Sequence, residues 1–163
     1  MKTAILYTTR HGTTEKVART IAEGLCDSGE VDLVNLRFYR DQPLDRYDTV
    51  VLGTSIHMGR PDKAMQRYVT ETKNKNALEA RRVGLFLCCM HTDEGRRADQ
   101  LEHAFPEYLR RHAEAITIAG GEFLTEKMGW LDRMIVKKVS GVAGNTEDLR
   151  GDDIVAFIEK MKK

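Results

Sequence analysis

Five short apolar runs alternate with segments of helical periodicity, and this alternation limits the possible folds more than any other feature. The runs are residues 3–8, 31–36, 48–53, 82–88 and 115–119. The segments between them carry apolar residues three or four positions apart, as one face of an amphipathic helix does. Strands that alternate with helices form βαβ units, in which helical crossovers join parallel strands. The sequence therefore predicts an α/β fold with a parallel sheet covered by helices on both faces.

The number of strands and one surplus helical segment refine this prediction. Five strands favour the flavodoxin-like order 2-1-3-4-5 over a six-stranded Rossmann sheet. Residues 128–139 are not needed to complete five strand–helix units, and they are predicted to form an extra helix after strand 5. The expected fold class is a three-layer, doubly wound five-stranded parallel sheet in one domain, residues 1–163. Its other helices are predicted at residues 13–28, ended by Gly29, at 62–73, at 94–111, interrupted by Pro106, and at 152–161.

Composition excludes several classes of protein. The 26 basic and 25 acidic side chains leave a net charge of +1, so no strong field favours nucleic acid. No run approaches the roughly 18 apolar residues of a membrane span, and the N-terminus does not resemble a signal peptide. Three cysteines, of which Cys88 and Cys89 are adjacent, suit neither a disulfide framework nor a zinc site. We expect a cytoplasmic protein without a metal site.

Ligands of doubly wound sheets bind beyond the carboxyl ends of the strands, where the strand order reverses. In the order 2-1-3-4-5 this point lies between strands 1 and 3. Three segments follow the strands that meet there, and they are the candidates for the functional site. They are residues 8–14, 54–61 and 88–97.

The first segment has the features of a phosphate site. Gly12 lets the backbone approach an anion, and the helix that follows presents free N–H groups and its positive dipole end. Threonine hydroxyls can donate to phosphate oxygens, and the two basic side chains can add charge. The alternative, a Thr/Gly-rich turn with Thr13 as the helix N-cap, remains open. The candidate residues are Thr9, Arg10, His11, Gly12, Thr13 and Thr14.

Other anion-binding or acceptor motifs do not fit. The chain has no GxxxxGK[ST] loop, and it has no GxGxxG fingerprint. A phospho-acceptor receiver domain would need carboxylates after strands 1 and 3, where this chain has "LYTT" and "VLGTSI". The loop therefore suits a single monoester phosphate better than ATP or a dinucleotide.

The segment "TTRHGTT" resembles the FMN phosphate loop of flavodoxins, with Thr9, Gly12 and Thr14 at matching positions and Arg10-His11 as a departure. The segments "ILYTTRHGTTEKVA", "YDTVVLGTSIHMGR" and "IAGGEF…WLDRMIVKKVSG" together resemble the flavodoxin-like protoporphyrinogen dehydrogenases, which are quinone-linked enzymes of haem synthesis. This similarity covers nearly the whole chain, although residues 74–112 match by topology more than by residues. The resemblance implies FMN as cofactor and a redox function.

By the same resemblance, the second and third segments would lie on either side of the isoalloxazine ring. Flavodoxins usually place an aromatic residue in the second segment, and this chain has none there. His57 and His91 are the candidate acid–base residues by position and titration range. The remaining candidates for cofactor binding are Thr54, Ser55, Ile56, Met58, Gly59, Cys89, Met90 and Thr92.

Charge at the predicted site favours an anionic substrate over a basic redox partner. The rim is basic, and it suits an anionic tetrapyrrole or an acidic partner, unless these charges are merely solvated. The basic residues are Arg10, His11, His57, Arg60, Lys63, Arg96 and Arg97.

Residues 127–141 carry an apolar stripe beside basic residues and the single tryptophan, Trp130. Such a segment favours either peripheral contact with a membrane or packing on the domain.

The sequence predicts an FMN-dependent oxidoreductase that resembles protoporphyrinogen IX dehydrogenases, with a quinone or a redox protein as partner. The alternative is a flavodoxin-type electron-transfer protein without a small-molecule substrate. A homodimer is left open.

Overall fold

The computed structural model describes residues 1–123 and 146–163, and these ranges form a layered α/β fold. The described strands are β1 (Lys2–Tyr7), β2 (Glu30–Asn35), β3 (Thr49–His57), β4 (Arg60–Pro61), β5 (Arg82–Cys88), β6 (Ala115–Phe123) and β7 (Thr146–Leu149). The described α-helices are α1 (Thr13–Leu25), α2 (Lys63–Thr70), α3 (Thr72–Glu79), α4 (Glu94–Ala104), α5 (Glu107–His112) and α6 (Gly151–Lys162).

The predicted strand order is confirmed. β2, β1, β3, β5 and β6 are adjacent in that order and parallel throughout, which is 2-1-3-4-5 when these strands alone are counted. Two antiparallel strands were not predicted: β4 pairs with β3, and β7 pairs with β6. The extra helix predicted at residues 128–139 lies outside the described residues, as does the whole of the segment 127–141.

The sheet separates two apolar layers because alternate residues of each strand point to opposite faces. Leu6 and Leu52 pack in the layer under α2, α3, α4 and α5. Ile5, Val51 and Phe86 pack in the layer under α1 and α6. Such full burial contributes about 1.5–3 kcal/mol for each large apolar side chain. Among the described helices, none is long and apolar enough to cross a membrane.

Two of the predicted helices are each divided into two. Phe105 and Pro106 are extended and separate α4 from α5, as Pro106 predicts. The single helix predicted at 62–73 is wrong, because Glu71 is extended (φ −66°, ψ 128°) between α2 and α3. The Asn74 side chain donates to Tyr68 O at 3.0 Å, which satisfies a carbonyl at the end of α2 and favours the break.

The fifth parallel strand is longer than predicted. The sequence predicts that this strand ends before Gly120-Gly121, but β6 continues to Phe123. Gly120 has a φ of 76°, and the pairing with β5 shifts register at this end. A Cβ atom at Gly121 would lie 2.5 Å from Met90 Sδ. The glycines therefore let the segment after β5 lie directly on β6.

Candidate functional site

The candidate site lies at the carboxyl edge of the sheet, between β1 and β3. β1 pairs with β2 on one side and with β3 on the other. The strand order therefore reverses between β1 and β3. Because the strands are parallel, the segments after β1, β3 and β5 emerge at the same edge. The three segments singled out in the sequence are those that the fold places there.

A buried hydroxyl pair joins the first two segments. Thr8 Oγ1 and Thr54 Oγ1 are 2.8 Å apart, and neither residue is exposed to solvent. Thr8 N also donates to Gly53 O at 3.0 Å, so backbone pairing continues beyond the end of β1. These bonds fix the start of the 8–14 segment against β3.

We expect Thr54→Val to lower the free energy of unfolding by about 1–3 kcal/mol, because it leaves the buried Thr8 hydroxyl without a partner. Urea titration measures the loss. The double variant Thr8→Val/Thr54→Val is the control, since it removes both polar groups and should be less destabilised than the sum of the single variants. Strict additivity would show that the two hydroxyls are not coupled.

The first segment is built around a left-handed glycine. Gly12 has φ 96° and ψ −13°, occupies the N-cap position of α1, and donates its N–H to Thr9 Oγ1 at 3.0 Å. The alternative in which Thr13 is the N-cap is wrong, since α1 begins at Thr13 and no side chain caps it. Thr14 is fully buried, and its Oγ1 has no partner of hydrogen-bond geometry within the described residues.

The two basic residues of this segment differ in exposure. Arg10 is exposed, whereas His11 is half-buried. The His11 and His57 ring centroids lie 5.7 Å apart, with the planes inclined at 50°. Sequence reasoning placed each histidine separately and missed this pair, because the residues are distant in the chain.

The second segment is a hairpin rather than the predicted loop. β3 continues through Thr54, Ser55 and Ile56 to His57, and a two-residue turn joins it to β4. Met58 and Gly59 form the turn with φ of 51° and 73°, as both positions of a type I′ turn require. Met58 is also 65% exposed, so the turn presents an apolar side chain to solvent.

A helix cap secures the other end of this hairpin. Asp62 caps α2 by accepting from Ala64 N at 2.9 Å. Its other carboxylate oxygen lies 3.9 Å from Arg37 Nε, and Arg37 donates to Thr9 O at 3.1 Å. Arg37 thus connects the first segment to the start of α2.

An open groove of about 570 Å³ lies between Arg10, the hairpin and the start of α2. Three cationic side chains line it, whereas its one carboxylate, Asp62, already has two partners. The groove is therefore suited to an anionic ligand. Its lining residues include Arg10, Ser55, His57, Met58, Arg60 and Lys63.

The third segment combines buried thiols with a capped helix start. Burial raises the pKa of the Cys88 thiol to about 12, an effect that the Thr14 hydroxyl opposes only in part. Cys88 is therefore the small buried hydrophobe that the sequence predicts. Cys89 is buried too, Met90 and His91 are half-buried, and Thr92 is exposed. Within the described ranges, no three His, Cys, Asp or Glu side chains are arranged to hold a metal ion.

One member of the predicted basic rim is not at the surface. Arg97 is 7% exposed, whereas Arg10, Arg60, Lys63 and Arg96 are exposed. The apolar spacing of α4 carried a signal for this burial, because Arg97 lies four residues before Leu101 on the same face.

Comparison with known proteins identifies the fold and the family of this chain. The family model described as "Flavodoxin domain" matches residues 4–150. The chain is 25% identical to the protoporphyrinogen IX dehydrogenase [quinone] of Escherichia coli (strain K12), over 99% of this chain and 91% of that protein. It is 32% identical to a flavodoxin of Clostridium saccharobutylicum, over 47% of this chain and 49% of that protein.

A solved structure gives the same result for the fold. Oxidised flavodoxin 1 from Bacillus cereus superimposes with a TM-score of 0.53 at 16% identity, covering 99% of this chain and 96% of that one. This confirms the fold class that the sequence predicts, and the family match supports FMN as the cofactor.

Proposed function

Because the chain belongs to the flavodoxin-domain family, we propose that it is an FMN-dependent oxidoreductase whose site lies at the carboxyl edge of β1, β3 and β5. The first segment binds the phosphate, and the other two segments flank the isoalloxazine ring. The cofactor supplies the redox chemistry, while the protein binds it, orients it and excludes water.

The start of α1 is the observation that supports this proposal best. The left-handed Gly12 puts no side chain in front of the helix N-terminus, where N–H groups lack acceptors within the helix. Among the described residues the buried Thr14 hydroxyl has only a weak interaction with the Cys88 sulfur, and a phosphate oxygen would be a better acceptor. These features fit a monoester phosphate held by Thr9, Arg10, His11, Gly12, Thr13 and Thr14.

The ring would be covered by unusual side chains. On one side lie the β3–β4 hairpin residues Thr54 to Gly59, among which no aromatic residue occurs. The other side is formed by Cys89, Met90, His91 and Thr92. His57 is the better-placed candidate for proton transfer, because it lines the groove next to His11.

The substrate we propose is protoporphyrinogen or a related reduced compound that carries carboxylates, with a quinone as electron acceptor. The support is the relative named protoporphyrinogen IX dehydrogenase [quinone], which aligns with 99% of this chain. The groove adds a chemical reason, because Arg10, Arg60 and Lys63 can bind propionate groups.

Flavin bleaching tests this function. Under anaerobic conditions, FMN-loaded protein mixed with protoporphyrinogen should lose its flavin absorbance at a rate that rises with substrate concentration. We expect Arg60→Gln/Lys63→Gln to raise KM about tenfold with little change in kcat, because carboxylate contacts bind substrate and transition state alike. Lys75→Gln/Lys160→Gln is the matched control, since it removes two exposed charges outside the groove.

The alternative function is an electron-transfer protein without a small-molecule substrate. A wild-type protein that binds FMN but is not bleached by protoporphyrinogen, and is readily reduced by a redox partner protein, would support this alternative and reject the dehydrogenase. A protein that binds no FMN would reject both.

A further inference from the structure

Arg97 occupies a core position at the end of α4 nearest the candidate site. Arg97, Leu101 and Ala104 are spaced as one inward face of the helix, and Ala104 belongs to the apolar layer under it. The face is apolar except at its first position, where α4 begins at the carboxyl edge of β5. The neighbouring Arg96 is exposed, so the burial is specific to Arg97.

The charge of Arg97 is poorly compensated. Its guanidinium lies 3.9 Å from the Glu94 carboxylate, and the Glu94 side chain is 94% exposed to solvent. None of the hydrogen bonds formed by the described residues has the Arg97 guanidinium as donor. A buried charge with so weak a partner is costly, which points to a ligand that completes the site.

Two further buried polar groups, one before α4 and one on it, also lack partners among the described residues. His91 Nδ1 and Gln100 Oε1 are both buried and form no hydrogen bond with the described residues. Gln100 is three positions from Arg97 on the same side of α4, and His91 lies in the segment that leads into the helix. His91 lies in the segment that the proposed function places against the flavin ring, and Arg97 and Gln100 lie on the helix that this segment leads into.

The chemistry of these groups selects the ligand. A carboxylate would accept from Arg97 but would leave the Gln100 carbonyl without a donor. The pyrimidine edge of an isoalloxazine offers carbonyl acceptors and an N–H donor together. We propose that Arg97 donates to this edge and holds a positive charge there, while Gln100 accepts from its N–H. The inference rests on the proposed FMN site and adds a residue that sets the flavin potential.

A fixed positive charge should favour the reduced cofactor. Two electrons and one proton added to oxidised FMN leave one negative charge on the ring, beside the pyrimidine edge. Arg97 would stabilise this charge and bind the reduced form more tightly than a neutral residue could. In the test a chemical reductant such as dithionite supplies the electrons, so no substrate is required.

Potentiometric titration of the FMN-loaded protein, combined with the dissociation constant of oxidised FMN, tests the proposal. Arg97→Gln should weaken binding of reduced FMN about tenfold more than binding of oxidised FMN. For a two-electron couple this is a midpoint potential lower by about 30 mV. Arg97→Lys, which keeps the charge, should restore most of the shift. Arg96→Gln, the same charge change on the exposed face, should change the ratio less than twofold.

The thermal stability of the apoprotein separates this role from a purely structural one. Arg97→Met removes a poorly paired buried charge, so the apoprotein should melt at the same or a higher temperature while FMN affinity falls. A lower apoprotein melting temperature with an unchanged potential would overturn the inference. An equal shift in Arg96→Gln would do so too. If wild-type protein binds FMN and the Arg97 variants keep its potential, this inference fails and the proposed function stands.

Discussion

Gly12→Ala is expected to raise the dissociation constant of FMN at least tenfold. A residue with a Cβ atom is strained at a φ of 96° by about 1–2 kcal/mol, and relief of that strain would rotate the N–H groups at the start of α1 away from the phosphate. A tenfold change corresponds to about 1.4 kcal/mol. Fluorescence titration of apoprotein with FMN measures the effect.

The added methyl group itself meets nothing at this position, because no heavy atom lies within 4 Å of a Cβ built on Gly12. The loss would therefore be conformational. Gly12→Asn should retain more affinity than Gly12→Ala, since asparagine tolerates the left-handed region better. Gly151→Ala is the control, because Gly151 also has open space around it and its φ lies outside the left-handed region. Equal affinities for Gly12→Ala and wild type would contradict the phosphate site.

Gly53→Ala is expected to lower the free energy of unfolding by about 3 kcal/mol. A Cβ atom at Gly53 would lie 1.9 Å from Phe86 Cζ and 2.1 Å from Cε1, and Phe86 is fully buried between the sheet and its helices. Overpacking of this kind forces side chains out of their rotamers or moves the backbone. For a chain of this size we expect a melting temperature lower by roughly 6–12 °C.

The matched variant is Gly53→Ala/Phe86→Leu, which makes room for the added methyl group. Its loss should be smaller than the sum of the two single losses, because the clash and the cavity offset each other. Additive losses would show that the aromatic ring moves aside at little cost. Circular dichroism during thermal unfolding gives all four values of this cycle.

The sheet order and the location of the site could be predicted because they depend on local patterns. Apolar runs identify buried strands, and parallel strands bring the residues that follow them to one edge. Gly12 was also identifiable, since a glycine directly before a helical pattern suggests a special backbone conformation. These features require no knowledge of which residues meet in space.

The remaining features depend on particular side-chain contacts and strand pairings that the apolar pattern does not reveal. The break at Glu71 depends on the Asn74 side chain reaching the end of the preceding helix. The second segment becomes a hairpin although Met58 must adopt a positive φ, which propensity alone disfavours. The His11–His57 pair forms only when the strands are in register. Arg97 differs, because the helical spacing of α4 could have revealed its burial.

The pairing of β6 with β7 has a consequence for how this chain can vary. Phe123 and Thr146 are partners across the two antiparallel strands, so the chain returns to the place from which it left the sheet. The pairing of β6 with β7 therefore holds the two ends of the interval 124–145 at a fixed separation. A segment of another length placed there must satisfy that single end-to-end distance if β6 and β7 are to stay paired.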